Sequence, residues 1–369
     1  MFDSNTFFQR SACLIMAATL TSSAAAQVTW YVDAANCPGP GSGTLGDPYC
    51  AIQSAISAAA ASGDTILVAP GTYSENVDFS FKSIETRSTG GPAVTIISAA
   101  PTGSALTFEN GDCIFDGFTV TGGHNAIGGG GVNMIHNETV FTNCVFTGNS
   151  AAFIGGGFLN FGGHPILHNC LFYDNTTQDG GGFYNDHGTS TLINCTLVHN
   201  TASGAGGGAY VNTESITFHN CIFWDNSDSG GTDESAQLDT FGGTLFVNYS
   251  CIEGLDTLAG NNNVGDDPSF ANPAADDFRL SFGSPVVDAG DNAVVTTATD
   301  LDGHARQIDD PNTTDTGSGT PPIVDLGCYE FDPPPVPTVS TWGLAVLLLT
   351  TLAAGSIAIL RRHPVLASD

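Results

Sequence analysis

The sequence predicts an all-β chain wound as a parallel β-helix solenoid, on three observations. An eight-residue phrase recurs around four cysteines, the cysteines keep a nearly constant spacing, and a glycine triplet stands at a fixed distance before each. The phrase reads Thr-Asn-Cys-Val-Phe-Thr-Gly-Asn at 142–149 and His-Asn-Cys-Leu-Phe-Tyr-Asp-Asn at 168–175. It returns as Ile-Asn-Cys-Thr-Leu-Val-His-Asn at 193–200 and His-Asn-Cys-Ile-Phe-Trp-Asp-Asn at 219–226. Cys144, Cys170, Cys195 and Cys221 lie 26, 25 and 26 residues apart, and Gly131, Gly157, Gly182 and Gly208 close the triplets 13 residues before them. Self-similarity at a period of about 25 residues means stacked units, each too small to bury a face alone.

Short β-branched and aromatic runs in a glycine-rich background make each unit a coil of short strands and turns, not a helical hairpin. Position −3 from each cysteine is apolar (Phe141, Leu167, Leu192, Phe218), and so is position +2 (Phe146, Phe172, Leu197, Phe223). The cysteine and the +2 residue share one face by strand alternation. The asparagine at −1 (Asn143, Asn169, Asn194, Asn220) suits a corner with left-handed backbone. Coils about 4.8 Å apart are then expected to bury ladders of Phe/Leu, Cys and Asn. Weaker copies at Cys113 and Cys251, with strand-like runs at 64–68 and 93–97, extend the expected solenoid over 64–270, roughly eight coils. Before it, in the segment 27–63, Ile52, Ala55, Ile56 and Ala59 at helical spacing predict a helix within 51–62 that caps the open end.

Arg10, the run Leu14-Ile15-Met16-Ala17-Ala18 and Ala24-Ala25-Ala26 read as a secretory leader over 1–26, and the surroundings of Cys13 lack the lead-in of a lipoprotein processing site. Export implies an oxidising compartment, in which Cys37 and Cys50, bracketing a Gly/Pro loop outside the repeat, are expected to form a disulfide. The repeat cysteines, side by side with parallel Cα–Cβ vectors, are poorly placed to bridge and read as buried thiols. Lys+Arg number 7 against 37 Asp+Glu, with no Lys or Arg between Arg87 and Arg279. Such a surface repels nucleic acid, anionic lipid headgroups and polyanionic glycans, so no nucleic-acid partner is expected.

The Asn-Cys-x-Phe-x-x-Asn phrase and the glycine triplets resemble right-handed parallel β-helix proteins of the pectin-lyase-like fold, and also the repeats of chlamydial polymorphic outer membrane proteins. The stretches Asp266-Asp267-Pro268-Ser269-Phe270, Gly283-Ser284-Pro285-Val286-Val287-Asp288-Ala289-Gly290, Asp300-Leu301-Asp302-Gly303 and Asp325-Leu326-Gly327-Cys328-Tyr329-Glu330 resemble a choice-of-anchor Q region, placed at 271–331. After a Pro-rich spacer at 332–337, the segment 338–362 with its apolar run and Arg361-Arg362 is similar to an IPTL-type C-terminal sorting signal. That likeness implies transient membrane insertion, a processing protease and surface attachment; a plain transmembrane anchor is the alternative.

The resemblance carries the fold further than the chemistry. Pectate-lyase-like sites are expected to need Arg or Lys beside calcium, and the coils offer neither over 88–278; polygalacturonase-like sites are expected to contain Arg-x-Lys, which is absent. One column, at +4 from the cysteines, sets Asp174, His199 and Asp225 on adjacent coils, where a histidine between carboxylates could do acid/base work or simply turn corners. No C-x-x-C spacing supports zinc. Calcium is the remaining cofactor candidate, at Asp288, Asp291, Asp300 and Asp302, although these oxygen-rich loops lack a full EF-hand series and Asp-Gly is first a turn. The expected function is a secreted, envelope-anchored, non-catalytic β-helix at the cell surface, contacting extracellular glycans or surface proteins. The alternative is a polysaccharide lyase or glycoside hydrolase. An autotransporter passenger fits less well, because the chain ends in an apolar segment and not in amphipathic barrel strands.

Overall fold

The computed structural model describes residues 26–333. The leader up to residue 25 and the sorting segment at 338–362 lie outside the described residues. Within them the chain is a parallel β-helix. Sheets of nine, eight and seven strands run along it, with a four-stranded ladder of two-residue strands, and successive coils pair in parallel. Among the described residues no helix is long and apolar enough to cross a membrane.

One coil shows how the repeat builds these sheets. Val145–Thr147 enters the eight-stranded sheet, Gly148 turns the chain at φ 62°, and Ser150–Ala151 joins the four-stranded ladder. The triplet Gly155-Gly156-Gly157 leads into Phe158–Phe161 of the seven-stranded sheet, and Ile166–His168 joins the nine-stranded one. Asn169, at φ 52°, returns the chain to Cys170. Phe141 pairs with Leu167 and Val145 with Leu171, so the intervening Cys144 and Cys170 sit side by side. The four repeat cysteines are buried and free; burial pushes the Cys170 and Cys221 thiols up. Inside, Phe146 stacks on Phe172 (4.7 Å between centroids) and Phe158 on Phe183 (4.8 Å), within one apolar cluster reaching from Val32 to Ile252.

The continuous amide ladder is not the expected one. It runs through position +5, where Asn149, Asn175, Asn200 and Asn226 are all buried. Asn149 Nδ2 donates to Asn175 Oδ1 (3.1 Å), Asn175 Nδ2 to Asn200 Oδ1 (2.9 Å), Asn200 Nδ2 to Asn226 Oδ1 (3.0 Å), and Asn226 Nδ2 to Gln237 Oε1 (2.8 Å), which ends the series. Each backbone N–H along this series donates to the same next-coil oxygen. The last glycine of each triplet makes room for this ladder. A Cβ on Gly157 would stand 2.6 Å from the Gly182 oxygen and 3.0 Å from Asn175 Nδ2, and the first glycine of the triplet, Gly155, has φ 63°.

The −1 asparagines do take left-handed corners (φ 51–54°), but they make only one mutual bond, Asn169 Nδ2 to Asn143 Oδ1 at 3.1 Å. Their amides instead receive the C-terminal region. Asn169 donates to the Thr299 carbonyl (2.7 Å), Asn194 to that of Asp325 (3.2 Å), and Asn220 to that of Asp291 (3.1 Å). Residues 271–331 thus cover the outer face of the eight-stranded sheet. Leu171 and Val198 pack against Phe278, Leu301 and Cys328, and Ile222 packs among Val286, Val287 and Leu326.

Strand pairing also departs from the expected 64–270 limits. Thr29–Val32 pairs in parallel with Ser62–Val68, and the last solenoid strand is Cys251–Ile252, with one isolated bridge from Cys251 to Val264. Phe270–Asn272 already belongs to an antiparallel pair with Asp277–Leu280 in the C-terminal region. A helix at Ile52–Ala58 buries Ile52, Ala55 and Ile56, and the Glu75 carboxylate accepts from its first two N–H groups (2.7 and 3.0 Å). The N-terminal edge strand of the nine-stranded sheet is Thr29–Val32, ahead of that helix in the chain.

Candidate functional site

Where the C-terminal cover meets the early coils, two cavities of about 320 and 180 Å³ share Pro92, Ala93, Leu301 and Asp302 as walls and form one groove. The solenoid contributes Asp116, Asn143 and Tyr173; the cover contributes Arg279, Asp302 and Tyr329. Arg87 pairs with Asp116 (2.9 Å) and with Glu85. Arg279 grips both Asp302 oxygens (2.6 and 3.1 Å), bonds Asp277 (2.9 Å), and lies 5.4 Å over the Tyr329 ring. Burial pushes the Asp116 carboxyl up, with Arg87 opposing, and burial likewise raises the Tyr329 phenol.

Sequence reasoning missed this groove because it looked for cations inside the coils. Arg87 and Arg279 flank the cation-free stretch; folding brings Arg279 to the groove and pairs Arg87 with the wall residue Asp116. A signal was present at positions +1 and +3, where Leu171, Ile222, Val198 and Trp224 are apolar although they point outward. Strands apolar on both faces are covered on both faces.

Among the described residues every Lys and Arg is engaged. Lys82 Nζ donates to the Ala59 carbonyl (2.6 Å), and Arg306 is buried against the Gly327 carbonyl with Glu330 3.7 Å away. The groove therefore has planar donors and acceptors but no uncompensated positive charge.

The +4 column is assembled, because Tyr173, Val198 and Trp224 pair in register just before it. His199 Nε2 is 3.7 Å from Asp225, and its ring meets Phe278 edge to face at 5.3 Å. Burial and the Asp276 charge raise the Asp174 carboxyl, with His199 opposing. Yet Asp174, His199 and Asp225 all have left-handed φ (55°, 55° and 51°), as does Gly148 in the same column. Asp, Asn, His and Gly are the residues that tolerate that backbone, which accounts for their presence without chemistry.

The four calcium candidates do not converge. Asp300 Oδ1 accepts from the Asp302 and His304 N–H groups and its Oδ2 from Glu330 N–H, while Asp302 is held by Arg279. Asp291 caps a short 3-10 turn through Ala293 N–H and faces His219 Nε2 at 3.3 Å. Only Asp288 is uncommitted, with neither carboxylate oxygen hydrogen-bonded. Cys37 and Cys50 are joined as a disulfide near the N-terminal end.

Among solved structures the chain is similar to a pectate lyase at 14% identity, covering 83% of this chain and 97% of that one with a TM-score of 0.47. It is also similar to a pectin methylesterase from Erwinia chrysanthemi at 13% identity, covering 63% of this chain and 80% of that one with a TM-score of 0.43. No curated protein sequence matches it. Residues 74–264 match the family described as a right handed beta helix region, and with its stacked parallel coils the chain belongs to that right-handed β-helix family.

Proposed function

We propose that this chain is a non-catalytic, glycan-contacting β-helix of the cell envelope, exported by its leader and attached through its tail, and that its groove takes a neutral polysaccharide. The observation that carries the reading is the pre-formed Arg279–Asp302 clamp in one groove beside Tyr173 and Tyr329, with the wall carboxylate Asp116 already neutralised by Arg87. Such a surface offers directional hydrogen bonds and aromatic area at little reorganisation cost. A uronate polymer would meet carboxylates whose counter-charges are already used, on a chain of net charge −30. The Cys37–Cys50 disulfide supports export. The alternative, a polysaccharide lyase or glycoside hydrolase, draws on the raised Asp174 carboxyl beside His199.

The test is a panel of neutral glycans and polygalacturonate, with mass-spectrometric product detection. We expect binding to a neutral glycan without products, weakened at least about tenfold by Tyr329→Ala. Product formation would establish the alternative, and tight binding of polygalacturonate would refute the neutral-ligand reading. For the tail, recovery of an intact Arg361-Arg362 end from the cell surface would replace processing by a plain anchor.

A further inference from the structure

We propose that Asp288, Asp309 and Asp315 form a site for one hard divalent cation, calcium by its donor set, which ties the 309–317 loop to the C-terminal cover. One carboxylate oxygen from each lies within 4.8 Å of the other two. Oxygens sharing a calcium ion sit about 2.3–2.6 Å from it, so separations up to roughly twice that radius suit a common ion. Asp288 is 0% exposed, and among the described residues neither of its carboxylate oxygens has a hydrogen-bond partner. A buried carboxylate without a donor or counter-ion is strongly unfavourable, and the structure otherwise supplies partners for its buried carboxylates: Asp325 accepts from the Asp288 and Phe331 N–H groups (2.7 and 2.6 Å).

The loop is built to bring the other two carboxylates up to it. Thr316 N–H and Gly317 N–H both donate to the Asp288 carbonyl at 3.0 Å. Asp310 is spent inside the loop, accepting from Asn312 N–H (3.1 Å) and Thr313 Oγ1 (2.8 Å), which leaves Asp309 and Asp315 exposed and free to close over Asp288. Among the described residues no Lys or Arg pairs with any of the three, since Arg306 faces Glu330. An all-oxygen donor set without His or Cys selects calcium over zinc, and an adaptable exposed pair suits calcium better than the strict octahedron of magnesium. None of the three residues lines the groove, so the proposal stands independently of the glycan reading.

The experiment takes the full chain, stripped with EDTA, and titrates calcium by calorimetry and by thermal unfolding. Calcium should bind one per chain and raise Tm by several degrees, and Asp309→Asn/Asp315→Asn should bind at least about tenfold more weakly while unfolding at the wild-type temperature in EDTA. Asp288→Asn should remove the calcium response and unfold no earlier than wild type in EDTA, since it deletes an uncompensated buried charge. Absence of binding, or an unchanged affinity in the double variant, would overturn the site. Equal affinity for magnesium would overturn the assignment of calcium.

Discussion

In the solenoid, the buried polar groups at 149, 175, 200 and 226 are neutral amides, and each donates to the next coil's oxygen until Gln237 closes the row. In the cover at 271–331 they include ionisable groups: Asp288, Arg306, Asp325 and Glu330 are all buried, and among the described residues Arg306 Nε and Nη1 have no hydrogen-bond partner. Repetition explains the contrast. Where one coil copies the last, a single geometric solution satisfies every amide and is extended at no new cost. The cover has no neighbour to copy and holds its irregular backbone with side-chain oxygens, as Asp300 and Asp325 do for the N–H groups of Glu330 and Phe331. The solenoid is therefore expected to be sensitive to packing, and the cover to ions and pH.

The largest effect should come from the solenoid core. Phe172→Ala removes a ring that is fully buried and stacked on Phe146, and should cost about 3–5 kcal/mol in urea unfolding. A loss below about 1 kcal/mol would mean that the +2 column is not core. Asn175→Ala comes next. It strands the backbone N–H of Asn149, takes one of two acceptors from Asn149 Nδ2, and removes the side-chain donor to the Asn200 oxygen and the Phe146 carbonyl, and about 2–3 kcal/mol should be lost. The comparison would fail if that ladder broke at no cost.

These two positions also mark how far the sequence could be read. The period, the inward apolar columns and the left-handed −1 corners are all local consequences of the phrase, because strand alternation and corner sterics act within a few residues. Asparagine occupies both −1 and +5, however, and its letter alone does not say which amide points inward. That is decided by how the chain leaves the corner, and the clue was the glycine column that makes room opposite +5. The groove was less legible still. It depends on hydrogen bonds spanning 128 to 132 residues, such as Asn169 to Thr297 and Cys328 N–H to Thr196, and no periodicity reports contacts between a repeat and a non-repeating segment. The pairing of Asp288 with Asp309 and Asp315 was hidden for the same reason.

The cover's ions give the next prediction. Burial raises the Glu330 carboxyl, with the Asp325 charge adding to it, and burial likewise raises Asp325, with Arg306 opposing in both. In the unfolded chain both return to the ordinary carboxylate range. Above that range the folded state keeps protons that the unfolded state has released, so this contribution to stability is complete in acid and is lost as pH rises through the raised values. Stability should decline from about pH 4, the ordinary carboxylate value, to the raised values of about 7 for Asp325 and about 9 for Glu330, and Glu330→Gln should flatten the decline. A stability that rises with pH over this window in the wild type would show that Arg306 outweighs burial.

The smallest effect is expected at the +4 corner, where the two regions touch. Asp174 sits at φ 55°, a backbone that asparagine adopts as readily as aspartate, and among the described residues the neighbouring His199 pairs with Asp225 and no salt bridge reaches the Asp174 carboxylate. Asp174→Asn should change stability by less than about 0.5 kcal/mol, whereas Asp174→Ala should cost more, because a residue with a Cβ and no polar side chain disfavours the left-handed region. The ranking Asn, then Ala, in urea unfolding identifies the corner as backbone-determined. The reverse ranking would require the carboxylate itself to be doing something in the folded protein. Loss of glycan turnover in Asp174→Asn at unchanged stability would be the sign that this column is chemical after all, since amide for carboxylate preserves the turn and removes only the charge and the proton.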